Sequence, residues 1–454
     1  MLEGSRKING KDLPNLIIGH IGSDHARIWV RGSMESPVAF LSYRTEDGSD
    51  AGEATLLLEE RHGYTGVIEL RPLAPATGYI CEASFGQSLD EEAGRRDAPR
   101  YNTGRFRTAP PEGADADLCF IFGSCNLHSL GIVSSPDPAY RRIGQLVEEK
   151  KADFMIHCGD QIYYDVPIPA VLPTIEGYRS KYLDAWGDSE PTARLLTMLP
   201  HYMILDDHEI FDDFSNDKEI TVGSIDYIKA ISIKAYREFQ HIHNPQVYGN
   251  DALYYNFSFG RYRFFVMDTR TERYKLPPGN QMIGEPQLNR FFEWLESYRE
   301  DVKFVVSSGP FVGEARSSTD KWSSPSFRPQ RERIIDFIAE NNIPNIVFLT
   351  GDRHNAYYAT MRITGAGQHE IVVHELMSSP INQLSKRSLY HYHQRLESVT
   401  AGGVPYVAEI DVDTYYSTHS NVMTVQASGK TLQFDIYRTK KEGPPRRTGT
   451  IDLI

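Results

Sequence analysis

Residues 346–354 read Ile-Val-Phe-Leu-Thr-Gly-Asp-Arg-His, an apolar run that ends in a glycine turn bearing a carboxylate and an imidazole. The same arrangement occurs three more times along the chain. The other turns are Gly123-Ser124-Cys125-Asn126, Gly159-Asp160-Gln161-Ile162-Tyr163 and Asp206-Asp207-His208-Glu209, each of which follows a short apolar run. One such turn is weak evidence for a site, whereas four in a single chain predict a composite metal centre.

From Asp115 onward, short apolar runs alternate with helical patterns, which predicts an α/β architecture. The predicted helices span 138–150, 224–241, 286–299 and 329–340, and prolines suit the first turn of three of them. The predicted strands span 118–122, 154–158, 203–205, 264–267, 304–307, 346–350, 406–412, 422–427 and 432–437. Ligands of open α/β sheets bind beyond the carboxyl ends of the strands, which is where all four turns lie.

Residues 14–110 differ, because short alternating runs separated by turn residues are typical of an all-β unit. Residues 70–79 form a proline-rich and threonine-containing turn that ends in Tyr79 and precedes an alternating strand. This segment is similar to a fibronectin type III sandwich. We therefore predict a leader over 1–13, a fibronectin III-like β-sandwich domain over 14–110 and an α/β domain over 115–454.

Composition excludes several classes of protein. The chain has 454 residues and a formal net charge of -13, which argues against non-specific nucleic-acid binding. It lacks an apolar run of about 18 residues, so no transmembrane segment is expected. The N-terminus carries no apolar signal core or twin arginine. The expected location is cytoplasmic as the chain is written, or periplasmic or extracellular if a signal was removed, and the oligomeric state stays open.

The side chains of the four turns indicate which metals would bind. The candidate ligands are Cys125, Asp160, Tyr163, Asp207, Asp352 and His354. Thiolate, carboxylate and phenolate from Cys125, Asp160 and Tyr163 favour a strongly acidic trivalent metal, with iron the first choice. Asp207 and Asp352 offer hard oxygen donors that suit a second, divalent ion such as Ca²⁺, Mg²⁺ or Mn²⁺.

Together with Asp268-Thr269-Arg270, this series of motifs resembles the PhoD-like alkaline phosphatases. That family belongs to the metallophosphoesterase superfamily, which includes the purple acid phosphatases, and the resemblance covers roughly residues 115–400. It implies a four-layer α/β/β/α sandwich as the catalytic domain over 115–454. It also implies that Asp160 bridges two metals, that Tyr163 binds iron, and that His354 matches the second histidine of a Gly-His-x-His turn. Ser308 stands where the wider superfamily carries a histidine ligand.

The resemblance implies a metal-dependent phosphoester hydrolase, either an alkaline phosphatase or a phosphodiesterase, that uses a metal-bound hydroxide. The expected cofactors are Fe³⁺ and one or more divalent cations, Ca²⁺ first, with Mg²⁺, Mn²⁺ or Zn²⁺ as alternatives. The expected substrate is a phosphate monoester or diester. His208 is the candidate proton donor to the leaving group, and Arg270 the candidate ligand of the equatorial phosphoryl oxygens. Both residues are also candidate phosphate-binding groups.

A second class of function is a metal-stabilised, non-catalytic binding protein that acts through the β-sandwich domain. The complete ligand set together with His208 favours the hydrolase, because a non-catalytic scaffold needs neither. The roles of Asp206, Asp212, Asp213 and Ser308 stay open at the level of sequence.

Overall fold

The structure is a computed structural model that describes most of the chain. The described residues are 16–91, 101–127, 138–166, 171–187, 190–220, 223–249, 251–365, 367, 369–384 and 388–454. The predicted leader over 1–13 lies outside them. No helix in this described part of the chain combines the length and the apolar character needed to cross a membrane.

The N-terminal region is a sandwich of two antiparallel sheets. One sheet has the order β1 (Leu16–Ile21), β2 (Ala26–Arg31), β5 (Thr65–Leu70). The other has the order β4 (Ala51–Leu57), β3 (Val38–Thr45), β6 (Gly78–Gly86), β7 (Thr103–Arg107). Near the start of β6, the Tyr79 hydroxyl accepts a hydrogen bond from the Ala74 backbone nitrogen at 2.9 Å. This strand order and tyrosine corner confirm the predicted fibronectin III-like sandwich.

The remaining chain builds two larger sheets. The six-stranded sheet has the order β10 (His201–Ile204), β9 (Phe154–Cys158), β8 (Leu118–Gly123), β19 (Asn421–Ser428), β20 (Thr431–Arg438), β21 (Arg447–Asp452). The eight-stranded sheet has the order β11 (Tyr255–Phe259), β12 (Tyr262–Val266), β13 (Val302–Ser307), β14 (Ile346–Thr350), β16 (Glu370–Ser378), β15 (Ala356–Thr364), β18 (Pro405–Ile410), β17 (Arg395–Val399).

Helices cover the outer faces of both large sheets. Helices α1 (Pro138–Lys150) and α3 (Glu190–Leu195) pack on the six-stranded sheet, and α5 (Glu285–Ser297) and α6 (Arg328–Glu340) pack on the eight-stranded sheet. The inner faces meet in an apolar layer that contains Phe120, Phe154, Phe264 and Phe304. This arrangement is the predicted four-layer α/β/β/α sandwich.

Two further helices join the sandwich region to the α/β layers. Helices α2 (Ile175–Gly187) and α4 (Ile225–Phe239) share an apolar cluster with Trp29 of β2. The Trp29 indole donates a hydrogen bond to the Glu238 carbonyl at 2.8 Å. The last sandwich strand ends at Arg107 and the next strand begins at Leu118, while the domain division at 110–115 stays a prediction.

Strand direction places the motif turns at a common edge. Strands β8, β9 and β10 run parallel to one another, and so do β12, β13, β14 and β16. Their carboxyl ends therefore point the same way within each sheet, and the four turns follow β8, β9, β10 and β14 directly. The sequence pattern does not predict α2, α3, β11, β15, β17 or β21.

Candidate metal centre

Backbone hydrogen bonds join turns that are far apart in sequence. The Cys125 nitrogen donates to the Gly159 carbonyl at 3.2 Å, and the Asp352 nitrogen donates to the Ser124 hydroxyl at 3.0 Å. Cys125, Asp160 and Asp352 have positive φ angles of 60°, 56° and 70°. Such left-handed conformations are costly outside glycine and persist where the surrounding structure enforces them, often at functional sites.

Cys125, Asp160 and Tyr163 form one compact donor group. The Cys125 sulfur and the Tyr163 hydroxyl each lie 3.3 Å from Asp160 Oδ2, and all three side chains are buried. Ligand atoms held about 2.0–2.3 Å from one ion at right angles lie about 3 Å apart. The observed spacing is therefore compatible with three donors around a single ion.

Loss of hydration disfavours the deprotonated, anionic forms of these three side chains. Burial, followed by the charges of Asp160 and Asp352, raises the pKa of Cys125. Burial also raises the pKa of Asp160 and of Tyr163 well above the usual values. A bound cation would offset both the lost hydration and the mutual repulsion of the deprotonated groups. The donor chemistry therefore fits a metal ion.

Two groups of three ligand atoms converge beside these donors, each group within 4.8 Å. One group comprises Asp160, Asp206 and Asp352, and the other Asp160, Asp207 and His208. Asp206 Oδ2 is buried and has no hydrogen-bond partner in the described structure. A buried carboxylate oxygen without a donor is costly, and a cation is the partner that would satisfy it.

Arg270 lies beneath this acidic cluster. It is fully buried, and its Nη2 lies 2.6 Å from Asp206 Oδ1, 3.6 Å from Asp207 Oδ1 and 3.3 Å from Asp320 Oδ2. Burial alone would raise the pKa of Asp207, but Arg270 and His208 outweigh it and lower that pKa. Burial raises the pKa of Asp206 to about 6 against the opposing charge of Arg270. The phosphate contact expected for Arg270 stays a prediction.

His208 lies at the edge of the cluster, with 18% of its side chain exposed. Its Nδ1 lies 2.8 Å and 3.0 Å from the two oxygens of buried Asp165. Burial disfavours the imidazolium, but Asp207 and Asp160 outweigh that effect and raise the pKa of His208 to about 11. A histidine that holds its proton and reaches solvent can act as a proton donor.

His354 is connected to the centre through Ser379. Its backbone nitrogen donates to the Ser379 hydroxyl at 3.3 Å, and that hydroxyl donates to the Cys125 sulfur at 3.2 Å. Its ring is not among the ligand atoms that converge in groups of three in the described residues. The ligand role of His354 therefore stays a prediction.

The four residues that the sequence left open take different positions. The Ser308 hydroxyl donates to Asp206 Oδ1 at 2.8 Å, so both side chains lie inside the cluster. Asp212 and Asp213 are exposed, although the Asp213 nitrogen donates to Asp207 Oδ2 at 2.6 Å. The acidic residues after β10 thus divide into three that are buried, Asp206, Asp207 and Glu209, and an exposed pair.

Sequence reasoning missed Asp165, Lys321, Ser124 and Ser379. Asp165 follows Tyr163 by two residues in the same turn, a proximity that offered a signal for a partner of His208. Lys321 Nζ lies 2.9 Å from Asp320 Oδ2 and contacts Asp352 Oδ2. Lys321 is 31 residues from Asp352 and carries no motif, so nothing local in the sequence marks it.

The similarities to known proteins agree with this architecture. Alkaline phosphatase D of Bacillus subtilis (strain 168) is 26% identical over 306 residues, which are 57% of this chain and 50% of that protein. This chain thus spans about half the length of that relative. A solved structure of PhoD matches with a TM-score of 0.77 and 17% identity over 97% of this chain and 90% of the other.

A more distant likeness extends the comparison. Purple acid phosphatase PPD1 from yellow lupin (Lupinus luteus) seeds has a TM-score of 0.60 and 12% identity, covering 96% of this chain and 74% of the other. At such identities the two solved structures support the fold alone. The family model of the PhoD-like phosphatases matches residues 120–435, which is well over half of the sequence. The resemblance inferred from the motifs is thereby confirmed, and the chain belongs to the PhoD-like phosphatase family.

Proposed function

We propose that this protein hydrolyses phosphoric esters, as an alkaline phosphatase or phosphodiesterase, at a centre that holds iron and at least one divalent cation. The observation that carries the proposal is the buried contact of the Cys125 sulfur and the Tyr163 hydroxyl with one oxygen of Asp160, both at 3.3 Å. Metal ions held there would supply an activated water and positive charge for the phosphoryl oxygens.

Iron is the metal that these three donors suit best. A thiolate, a phenolate and a carboxylate together bring three negative charges, which a trivalent ion offsets more fully than a divalent ion. The Ser124 and Ser379 hydroxyls lie 3.3 Å and 3.2 Å from the Cys125 sulfur. Hydrogen bonds to a coordinating sulfur fix its orientation and moderate its charge.

The divalent cation has a candidate position between Asp160 and Asp207, whose oxygens converge with a nitrogen of His208. Carboxylate oxygens suit Ca²⁺, with Mg²⁺, Mn²⁺ and Zn²⁺ as alternatives, and with the carboxylates alone as ligands the His208 ring keeps its proton for the leaving group. The sequence also assigns Asp352 to the divalent ion and places the imidazole of His354 on the other metal, but Asp352 already contacts the ammonium group of Lys321.

His208 would donate a proton to the departing alkoxide, with Asp165 orienting its ring. Cations on Asp160 and Asp207 would weaken the effect of those carboxylates on the pKa of His208, whereas the ion pair with buried Asp165 would still favour the protonated ring. Arg270 would act indirectly, through the carboxylates, because its guanidinium is enclosed by Asp206, Asp207 and Asp320. That enclosure favours support of the carboxylates over a direct contact with the phosphoryl group.

The test is release of p-nitrophenol from its phosphate monoester and from its bis-phosphate diester by iron-loaded protein. We expect release from at least one ester, and loss of at least about a hundredfold in kcat for His208→Ala. No release from either ester, combined with unchanged phosphate binding in His208→Ala, would favour the non-catalytic binding protein.

A further inference from the structure

Lys321 is a buried cation in contact with the acidic cluster. Its side chain is 7% exposed, and its Nζ donates to Asp320 Oδ2 at 2.9 Å and contacts Asp352 Oδ2. The surrounding segment is held in place, because the Ser324 nitrogen donates to the Lys321 carbonyl at 2.8 Å. The backbone of Lys321 is therefore anchored, and its ammonium group lies between the carboxylates of Asp320 and Asp352.

The three carboxylates that converge at this end of the cluster differ in their partners. Arg270 pairs with Asp206 through contacts of 2.6 Å and 2.7 Å, and Lys321 pairs with Asp352. Within the described residues, no arginine or lysine forms an ion pair with Asp160, which instead contacts Cys125 and Tyr163. The demand for a metal ion is consequently strongest at Asp160, because Asp206 and Asp352 each contact a cationic side chain.

A lysine in contact with Asp352 opposes the binding of a metal there in two ways. It occupies one of the two oxygens that would coordinate the ion, and its positive charge repels the ion at short range. At about 4 Å and an effective dielectric constant of about 20, repulsion from a single charge weakens binding by more than tenfold.

We propose that Lys321, rather than a further divalent ion, neutralises Asp352, so that the protein binds one divalent ion fewer than its carboxylates could hold. The divalent ion of the proposed hydrolase then lies between Asp160 and Asp207 and takes no ligand from Asp352. This inference rests on the proposed metal centre, but it concerns the number of bound ions and is measured without turnover.

The experiment counts Mn²⁺ bound per chain by equilibrium dialysis and elemental analysis, with iron measured in the same samples. We expect Lys321→Met to bind one more Mn²⁺ ion than the wild type, and Lys321→Arg to match the wild type. The matched control is Lys275→Met, since Lys275 Nζ lies 3.1 Å from Asp320 Oδ1 but forms no ion pair with Asp352. That control removes the same charge from Asp320 and is expected to leave the Mn²⁺ count unchanged.

An equal Mn²⁺ count in folded Lys321→Met and wild type would overturn the proposal. If Lys321→Met does not fold, as judged by circular dichroism, Asp352→Asn provides the test. The proposal expects Asp352→Asn to retain the wild-type Mn²⁺ count, and the loss of one ion would overturn it. Absence of p-nitrophenol release with an intact iron content would count against the hydrolase alone, because the Mn²⁺ counts do not depend on it.

Discussion

Among the candidate ligands, Cys125 best distinguishes a metal centre from turns that have only a structural role. The other three cysteines lie in strands, whereas Cys125 lies beyond β8 with its sulfur against Asp160. We expect Cys125→Ser to lower the iron affinity by more than about tenfold, because a serine hydroxyl is a far weaker anionic donor than a thiol. Elemental analysis of purified protein measures the occupancy.

Cys119→Ser is the control for that measurement, since Cys119 lies within the strand that precedes Cys125, β8, and away from the turn. It should retain the iron of the wild type. Full iron retention in Cys125→Ser would refute the thiolate assignment while leaving the fold unaffected.

Asp165 is expected to act on the reaction through His208. The two are joined at 2.8 Å, and Asp165 also accepts a hydrogen bond from the Asp212 nitrogen at 2.6 Å. Asp165→Asn should lower kcat by about 10- to 100-fold with little change in KM, because the ring loses its orientation and its charge partner.

The measurement is a comparison of Asp165→Asn, His208→Gln and the double variant with the monoester substrate. If Asp165 acts only through His208, the double variant is no slower than His208→Gln. Additive losses in kcat would show that Asp165 has a separate, structural role.

The residues that the sequence reveals are those that follow directly from chain order. Cys125, Asp160 and Tyr163 come after strands whose apolar runs are readable, so their convergence is predictable. Lys321 and Asp165 are defined by their partners, which are 31 and 43 residues away. The position of Asp165 beside Tyr163 offers a local signal, but nothing near Lys321 in the sequence marks its pairing, which only the three-dimensional structure reveals.

At the level of elements, the tight turn after β9 depends on Gly159. Its φ is 97°, and a Cβ added there would lie 2.6 Å from the Asp206 Cβ. Gly159→Ala should therefore lower the free energy of unfolding by about 1–2 kcal/mol for backbone strain, and by at least about 1 kcal/mol more for the steric clash. Urea unfolding of metal-free protein measures this change.

Gly113→Ala is the matched control, because Gly113 has a φ of 80° but nothing within 4 Å of an added Cβ. Gly113→Ala should show only the part of the destabilisation that comes from backbone strain. Equal destabilisation of the two variants would mean that the contact between the β9 turn and Asp206 contributes nothing to stability.

The elements that the sequence pattern predicts best are those buried on both faces. Strands β9 and β14 have the predicted limits, Phe154–Cys158 and Ile346–Thr350, because their apolar runs end abruptly at glycine. Helix α2 is absent from the predicted helices, although its stripe of Tyr178, Tyr182 and Trp186 has the four-residue spacing of a helix. Strands β17 and β21 lie at sheet edges and are largely exposed, so no apolar run marks them.

At the level of the whole molecule, the sandwich is attached to the α/β layers by aromatic packing. Trp29 is fully buried against Trp186 and Phe239, with ring centroids 6.3 Å and 5.8 Å away. Burial of such a large side chain at a boundary contributes about 3–5 kcal/mol. The β-sandwich and the α/β layers, on either side of the division predicted at 110–115, therefore share an apolar contact.

Buried histidines lie at the same boundary. His241 follows α4, Arg27 of β2 donates to the Ile242 carbonyl at 2.8 Å, and neither ring nitrogen of His243 has a hydrogen-bond partner within the described structure. Burial, followed by the charges of Arg237 and Arg27, lowers the pKa of His241 to about 3. Burial likewise lowers the pKa of His243.

These shifts predict that the protein loses stability on acidification. The unfolded chain binds a proton on each histidine near pH 6.5, whereas folded His241 does so only near pH 3, so stability is present above about 6.5 and falls as the pH decreases between these values. Between about pH 7.5 and about pH 5.5, His241 alone should contribute a loss of about 1.4 kcal/mol in the free energy of unfolding.

The measurement compares urea unfolding of the wild type and His241→Gln at both pH values. Glutamine does not titrate, so the pH-dependent loss should be smaller by about 1.4 kcal/mol in the variant. Glu209 and Asp153, whose raised pKa values act in the opposite direction, are present in both proteins and cancel in the difference. Equal pH dependence in the wild type and His241→Gln would show that the imidazole at this boundary is not held neutral by burial.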